Sequence, residues 1–277
     1  MTKDAIAFGP RLIGTPTGKL RTAVLMKPGA SIERAKTMPG EPGAIYGRTL
    51  EQHDVLRQTL AYFGVETIVL EPSGEDPYES AVADAAVAFE DGAVVMRPSA
   101  MTRRAEADRM EAAFARIDVP MAGHIATPGL LDGGDVLLIA STAFVGVGLR
   151  GNDLGRAGFA SIAKAHGYRV IEVQLAPGVP SLRAVATAVA KDTVVLSCDQ
   201  VDPAPFSDFK CIMLERGENL GAGVICLGER HAIADVRYRS ALSKLRKAGI
   251  VVEGIDLYDF EKIGLTPSML VLALKRD

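Results

Sequence analysis

The chain has no tryptophan, and aromatic residues fill only 5% of its 277 positions. No apolar run is long enough to span a bilayer, which argues against a membrane-embedded chain. The net charge is only -3, so no strong field of either sign points to nucleic acid or to an acidic membrane surface. Met1-Thr2-Lys3-Asp4-Ala5 lacks the apolar core of a signal peptide. Cysteine is scarce and odd in number: Cys198, Cys211 and Cys226 lie in or beside apolar runs without metal-ligand spacing. Buried free thiols in a protein of a reducing cytoplasm are therefore expected.

What is present is ordinary globular composition, 48% apolar and 23% charged, with enough length for a large core. One stretch stands out: Leu130-Leu131-Asp132-Gly133-Gly134-Asp135-Val136-Leu137-Leu138-Ile139. Two carboxylates flank a glycine pair, and an apolar strand follows at once. Asp132 and Asp135 would thus stand at a strand mouth, aimed into a cleft. The alternative is a turn whose aspartates bond their own backbone.

The rest of the chain repeats one unit of strand, turn, strand, helix and strand. Strands are expected at 86–89, 93–96 and 121–126, with a helix over 101–117. The same order recurs at 136–139, 143–147, 153–166 and 168–175, then at 184–189, 193–196 and 211–214 with a shorter link. It recurs once more at 224–227, 231–234, 237–248 and 250–255. The period of roughly 40–55 residues is that of a repeat architecture. A fifth unit is split between the ends: strands 22–26 and 65–70 flank a helix at 49–63, and strand 269–274 lacks a mate. Pairing 269–274 with 22–26 closes a ring of five units, hides sheet edges, and makes residues 1–277 one domain. Pro28, Gly29, Pro39, Gly40, Pro42 and Gly43 punctuate a segment too long for a mere connector, as lids often are.

Several segments, in order, resemble one family. They are Phe89-Glu90-Asp91, Arg97-Pro98-Ser99-Ala100-Met101-Thr102-Arg103-Arg104, Leu131 to Val136, Phe144 to Asn152, and Phe260-Glu261-Lys262 through Gly264-Leu265-Thr266. They are similar to the dimethylarginine dimethylaminohydrolases, which belong with arginine deiminases and amidinotransferases in the guanidino-modifying, pentein-fold superfamily. The resemblance implies an α/β fold, a five-bladed α/β propeller with its ligand on the pseudo-five-fold axis. It also implies covalent chemistry: a thiolate attacks the guanidinium carbon, a histidine moves protons, and carboxylates grip the planar N–H fork.

This chain departs from that pattern. The family's cysteine position holds Pro267, with Ser268 next, and the family's histidine position is best matched by Ser181. The family's glutamate before the glycine pair is the shorter Asp132. A substrate-gripping aspartate would fall at Ala85, with Asp84 one residue off, and a one-residue slip in a strand turns a side chain to the other face. Catalytic candidates are therefore Asp132, Ser181 and Ser268. The resemblance assigns ligand binding to Glu90, Asp91 and Asp135 beside the guanidinium, and to Arg150 and Arg103 or Arg104 on an α-carboxylate. His124, with Asp132, Asp135 and Asp91, is the one set that could form an oxygen-rich metal site, but no compact spacing supports it, so no metal and no cofactor are expected. Two functions stay open: an enzyme or binder of an amino-acid-like or guanidino-type small molecule with altered chemistry, or a catalytically inactive pentein-fold binding or partner protein. Neither nucleic acid nor membrane is an expected partner, and a homodimer is left open.

Overall fold

The computed structural model describes residues 11–218 and 220–277. In chain order, β1 (Leu20–Met26), helix α1 (Tyr46–Tyr62) and β2 (Glu66–Leu70) come first. Then follow β3 (Ala86–Ala88), β4 (Ala93–Val95), α2 (Ala105–Arg116) and β5 (Met121–His124). The third set is β6 (Val136–Ile139), β7 (Thr142–Val147), α3 (Asp153–Ala165) and β8 (Arg169–Gln174). A one-turn helix α4 (Leu182–Val185) leads into β9 (Ala186–Ala190), β10 (Thr193–Ser197) and β11 (Lys210–Leu214). The chain finishes with β12 (Ile225–Gly228), β13 (His231–Asp235), α5 (Arg239–Lys247), β14 (Val251–Ile255), the short α6 (Tyr258–Glu261) and β15 (Leu272–Arg276).

These strands form five three-stranded sheets, each built alike. The first strand runs antiparallel to the second, and the third runs parallel to it. A tight turn suffices for the antiparallel pair, whereas the parallel pair needs a crossover, and a helix supplies it. The fourth crossover has only a single turn, Ala204–Phe206, because Pro203 and Pro205 interrupt a helix there. The split unit closes as expected: β1 pairs antiparallel with β15, with Ala23 opposite Ala273 and Val24 opposite Leu272. The sheets pack on one another, with β15 beside β3, β6 beside β9, β9 beside β12 and β12 beside β1. The first strands β3, β9 and β12 are wholly buried, while the outer strands β2, β5 and β8 alternate toward solvent. The arrangement is pseudo-five-fold and of the expected α/β class.

Local expectations need four corrections. The final strand begins at Leu272, not at residue 269, because Pro267–Met269 is a 3-10 turn that proline opens. Residues 184 and 185 belong to α4 rather than to a strand. Helical periodicity over 49–63 puts Leu50, Val55, Leu56, Leu60 and Phe63 on or near one face, but Val55 faces out and α1 buries Thr49, His53, Leu56 and Leu60. Of the three thiols only Cys226 is buried; Cys198 is exposed and Cys211 is half-buried.

Short turns precede four of the first strands: Val82–Asp84, Gly133–Asp135, Leu182–Val185 and Pro267–Met269. They pack on one another and bring the mouths of four sheets together. Gly133 permits a close backbone approach between two of these turns, since a Cβ there would run into the Ala83 carbonyl oxygen. Gly158, inside α3, has nothing within 4 Å of the same position. Gly133→Ala should therefore lose about 1–3 kcal/mol by overpacking. Gly158→Ala should gain about 0.5–1 kcal/mol from helix propensity. Urea unfolding of both variants checks the pair; equal effects would contradict the contact.

Candidate functional site

The sequence around Asp84 is Ser80-Ala81-Val82-Ala83-Asp84-Ala85-Ala86-Val87, a single charge in an apolar run. Asp84 is fully buried, so its carboxylate must find partners within the protein. One oxygen accepts from Arg103 Nη1 at 2.6 Å and from Arg150 Nη1 at 2.9 Å. The other accepts the Gly134 N–H at 3.2 Å. Gly134 must stay bare, because a Cβ there would collide with that same Asp84 oxygen.

Arg103 sits in the turn Met101–Arg103 that leads into α2. Its Nε and Nη2 donate to the two oxygens of Glu106 at 2.8 Å each, the fork-to-fork pairing that guanidinium geometry favours. Nη2 also reaches the Ala81 carbonyl at 3.2 Å. Arg150 lies between β7 and α3 and is the accessible member, with 23% of its side chain exposed. Its Nη1 is 3.7 Å from Asp132 Oδ2. Asp132 accepts the Ser99 N–H at 2.8 Å, and Asp135 accepts the Leu182 N–H at 2.9 Å across the junction with α4.

Three carboxylates, Asp84, Glu106 and Asp132, thus share two guanidiniums, and Asp135 stands beside them with the Leu182 N–H as its partner. The protonation behaviour follows from that imbalance. Burial pushes Asp135 up to about 7, with the charges of Asp132 and Asp84 adding and the Leu182 N–H opposing. Asp132 rises to about 6, first by burial and then by repulsion from Asp84, against the pull of Arg150 and Arg103. Burial likewise lifts Glu106 to about 7 despite its bond to Arg103. Such groups hold protons near neutral pH, which suits proton exchange with a ligand.

The cluster brings together Asp132, Asp135, Arg103 and Arg150 of the residues expected from sequence. Ser181 and Ser268 belong to the same packed turns: a Cβ at Gly134 would stand 3.3 Å from Ser181 Oγ. Ser181 Oγ has only Met269 Sδ, at 3.7 Å. Ser268 Oγ donates to the Arg183 carbonyl at 2.8 Å and meets Thr266 Oγ1 at 3.0 Å. Among the described residues neither hydroxyl has a basic partner to activate it.

The structure does not bring the other candidates to this cluster. Glu90 and Asp91 form the far turn of the β3–β4 hairpin, where Glu90 pairs with Arg11 at 3.0 Å and Asp91 with His166 Nδ1 at 2.7 Å. Their expected place beside Asp132 fails because β3 separates that turn from the Asp84 end. Arg104 is half-buried outside the cluster, with its Nε unpartnered. His124 ends the outer strand β5, and no group of acidic, histidine or cysteine side chains among the described residues is placed to hold a metal.

Sequence reasoning passed over two members. Strand alternation turns Asp84 away from the site, yet Asp84 stands in a turn, where alternation does not apply. Its signal was the lone charge among alanines and valines. Glu106 was legible only as the partner three residues after Arg103 on a helix.

Removing the Asp84 carboxylate leaves the buried Arg103 and the half-buried Arg150 short of a partner. Asp84→Ala should cost about 3–5 kcal/mol in urea unfolding. Asp135 gives a pH test. Its folded value lies above that of an unfolded carboxyl, so the folded state binds more protons between about 4 and 7, and its contribution to stability falls as pH rises through that window. Asp135→Asn keeps the acceptor for Leu182, so its Tm relative to the parent should rise from pH 5 to pH 8. A flat difference would contradict the assignment.

No family model matches the chain. A dimethylarginine dimethylaminohydrolase of Streptomyces coelicolor is 33% identical over 219 residues, covering 79% of this chain and 83% of that protein. Among solved structures, a mutant of the Pseudomonas aeruginosa dimethylarginine dimethylaminohydrolase complexed with citrulline superposes with a TM-score of 0.83. It is 22% identical and covers 92% of this chain and 99% of its own. An amidinotransferase of saxitoxin biosynthesis from Microseira wollei has a TM-score of 0.80 at 12% identity, over 97% of this chain and 98% of its own. The five-sheet pentein architecture and the Streptomyces likeness together make this chain a member of the dimethylarginine dimethylaminohydrolase family.

Proposed function

We propose that this protein binds a small cationic amino acid or guanidino compound at the Asp84–Asp132–Asp135 cluster, without the cysteine chemistry of its relatives. The observation that carries the reading is the imbalance of four buried carboxylates over two guanidiniums, with neither a thiol nor an imidazole among them. A cation entering the site would take the place of the protons that Asp132 and Asp135 hold near neutral pH. A zwitterion would exchange ion pairs: its carboxylate takes Arg150, the exposed guanidinium, and its cationic end takes the freed oxygens of Asp84 and Asp132. The relatives act on dimethylarginine or, in the Pseudomonas structure, hold citrulline. Asp132 and Asp135 supply proton exchange in place of a covalent step.

A second reading rests on a specific observation. Both Asp84 oxygens are already bonded within the chain, so the cluster also suits a non-catalytic member whose axis is held shut by its own ion pairs.

Calorimetry and thermal shift with arginine, methylated arginines, ornithine and citrulline separate the two. The cations should bind and raise Tm, and citrulline, whose side chain is neutral, should do so least. Arg150→Ala should lose about 1.5–3 kcal/mol of affinity, one to two orders of magnitude in Kd. No ligand response in the parent protein would favour the second reading.

Citrulline release from arginine or methylated arginine should stay at the no-enzyme level. Pro267 has no nucleophile, and Ser181 does not titrate near neutral pH. Pro267→Cys alone should not restore activity; the double change with Ser181→His is the fair attempt. Turnover by the parent protein that thiol alkylation blocks would overturn this and point to one of its three cysteines.

A further inference from the structure

The first strands of all five sheets, β3, β6, β9, β12 and β15, line a partly open cavity of about 100 Å³ on the axis, with room for several waters or one small ion. Its walls are apolar apart from Arg183, Thr187, Cys226 and Arg276. Two arginines facing one interior space without an acid are an unusual arrangement. Among the described residues, neither pairs with a carboxylate. Arg276 donates to the carbonyls of Gly18 and Cys226 at 2.8 Å each. Arg183 has only the Val271 carbonyl, at 3.5 Å.

Burial pushes Arg183 down to about 10, with repulsion from Arg276 adding and the charge of Asp84 opposing. Asp84 is taken up by Arg103 and Arg150, so it does not neutralise the cavity. Thr187 is a separate observation. It is only 6% exposed, it lines this space, and among the described residues its hydroxyl has no hydrogen-bond partner. An orphaned buried hydroxyl beside two under-filled guanidiniums is a set of donors awaiting an acceptor.

We propose that the axial cavity is a binding site for a small monovalent anion, held by Arg183, Arg276 and the Thr187 hydroxyl. Chloride and the carboxylate of a one- or two-carbon acid share the required chemistry: one negative charge, several acceptor directions and small size. The site is distinct from the carboxylate cluster. It meets the cluster through the charge of Asp84, which acts on Arg183, and through the Arg183 carbonyl, which takes the Ser268 hydroxyl.

The test is the Tm of the full chain in chloride, bromide, formate and acetate, with ionic strength held constant by sodium gluconate, which is too large to enter. A saturable rise is expected, and the salt that saturates at the lowest concentration names the anion. Thr187→Val should raise the half-saturating concentration about tenfold, the effect of one lost bond to a charged partner, and Thr187→Ser should retain the parent value. Arg183→Met should abolish saturation; should that variant not fold, the Thr187 pair decides. A response that never saturates, or one identical in the parent protein and Thr187→Val, would overturn the proposal.

Discussion

The contact on which the site depends is the Asp84 carboxylate, buried among two guanidiniums and a backbone N–H. It draws in Arg103 from the start of α2, Arg150 from the loop before α3, and the turn before β6. Each lies in a different stretch of chain, so one side chain orients the mouths of adjacent sheets. A buried ion pair is costly to desolvate and more costly to break. Once Asp84 is enclosed, the surrounding turns have little freedom to rearrange, and the bare glycines at 133 and 134 let them come close enough to enclose it.

The same burial sets the character of the site. Burial raises Asp135 and Glu106 to about 7 and Asp132 to about 6, and repulsion among the carboxylates adds to it. On the far side of the turns, Arg183 and Arg276 face the opposite deficit within an apolar tube. The axis is thus polarised: acidic groups gather at the mouth and basic groups lie within.

Much of the architecture was legible in the sequence because it repeats. Hairpins, capping glycines and apolar runs recur in order, and the unpaired strands at the two ends required each other, as β1 and β15 now show. The Gly-Gly-Asp stretch was legible because a glycine pair between acids and a strand leaves few conformations. Less visible was where strands stop being strands. Asp84 and Ser268 lie in single turns, where a period of two gives no guide to direction. Glu90 and Asp91 look close to the site along the chain, but a hairpin carries its turn away from its ends, and β3 sets them at the opposite rim. Ion pairs between sheets, such as Arg150 with Asp84, have no local sequence signature, since 66 positions separate them.

Carbon-detected NMR titration of the side-chain carboxyls, in the free protein and with saturating arginine, is the most direct measurement of a buried acidic site awaiting a cation. The Asp135 carboxyl should titrate at about 7 in the free protein and move to lower pH when arginine fills the cluster. An Asp135 that titrates in the ordinary range near about 4, unmoved by arginine, would contradict the cluster's charge imbalance and the ligand it implies.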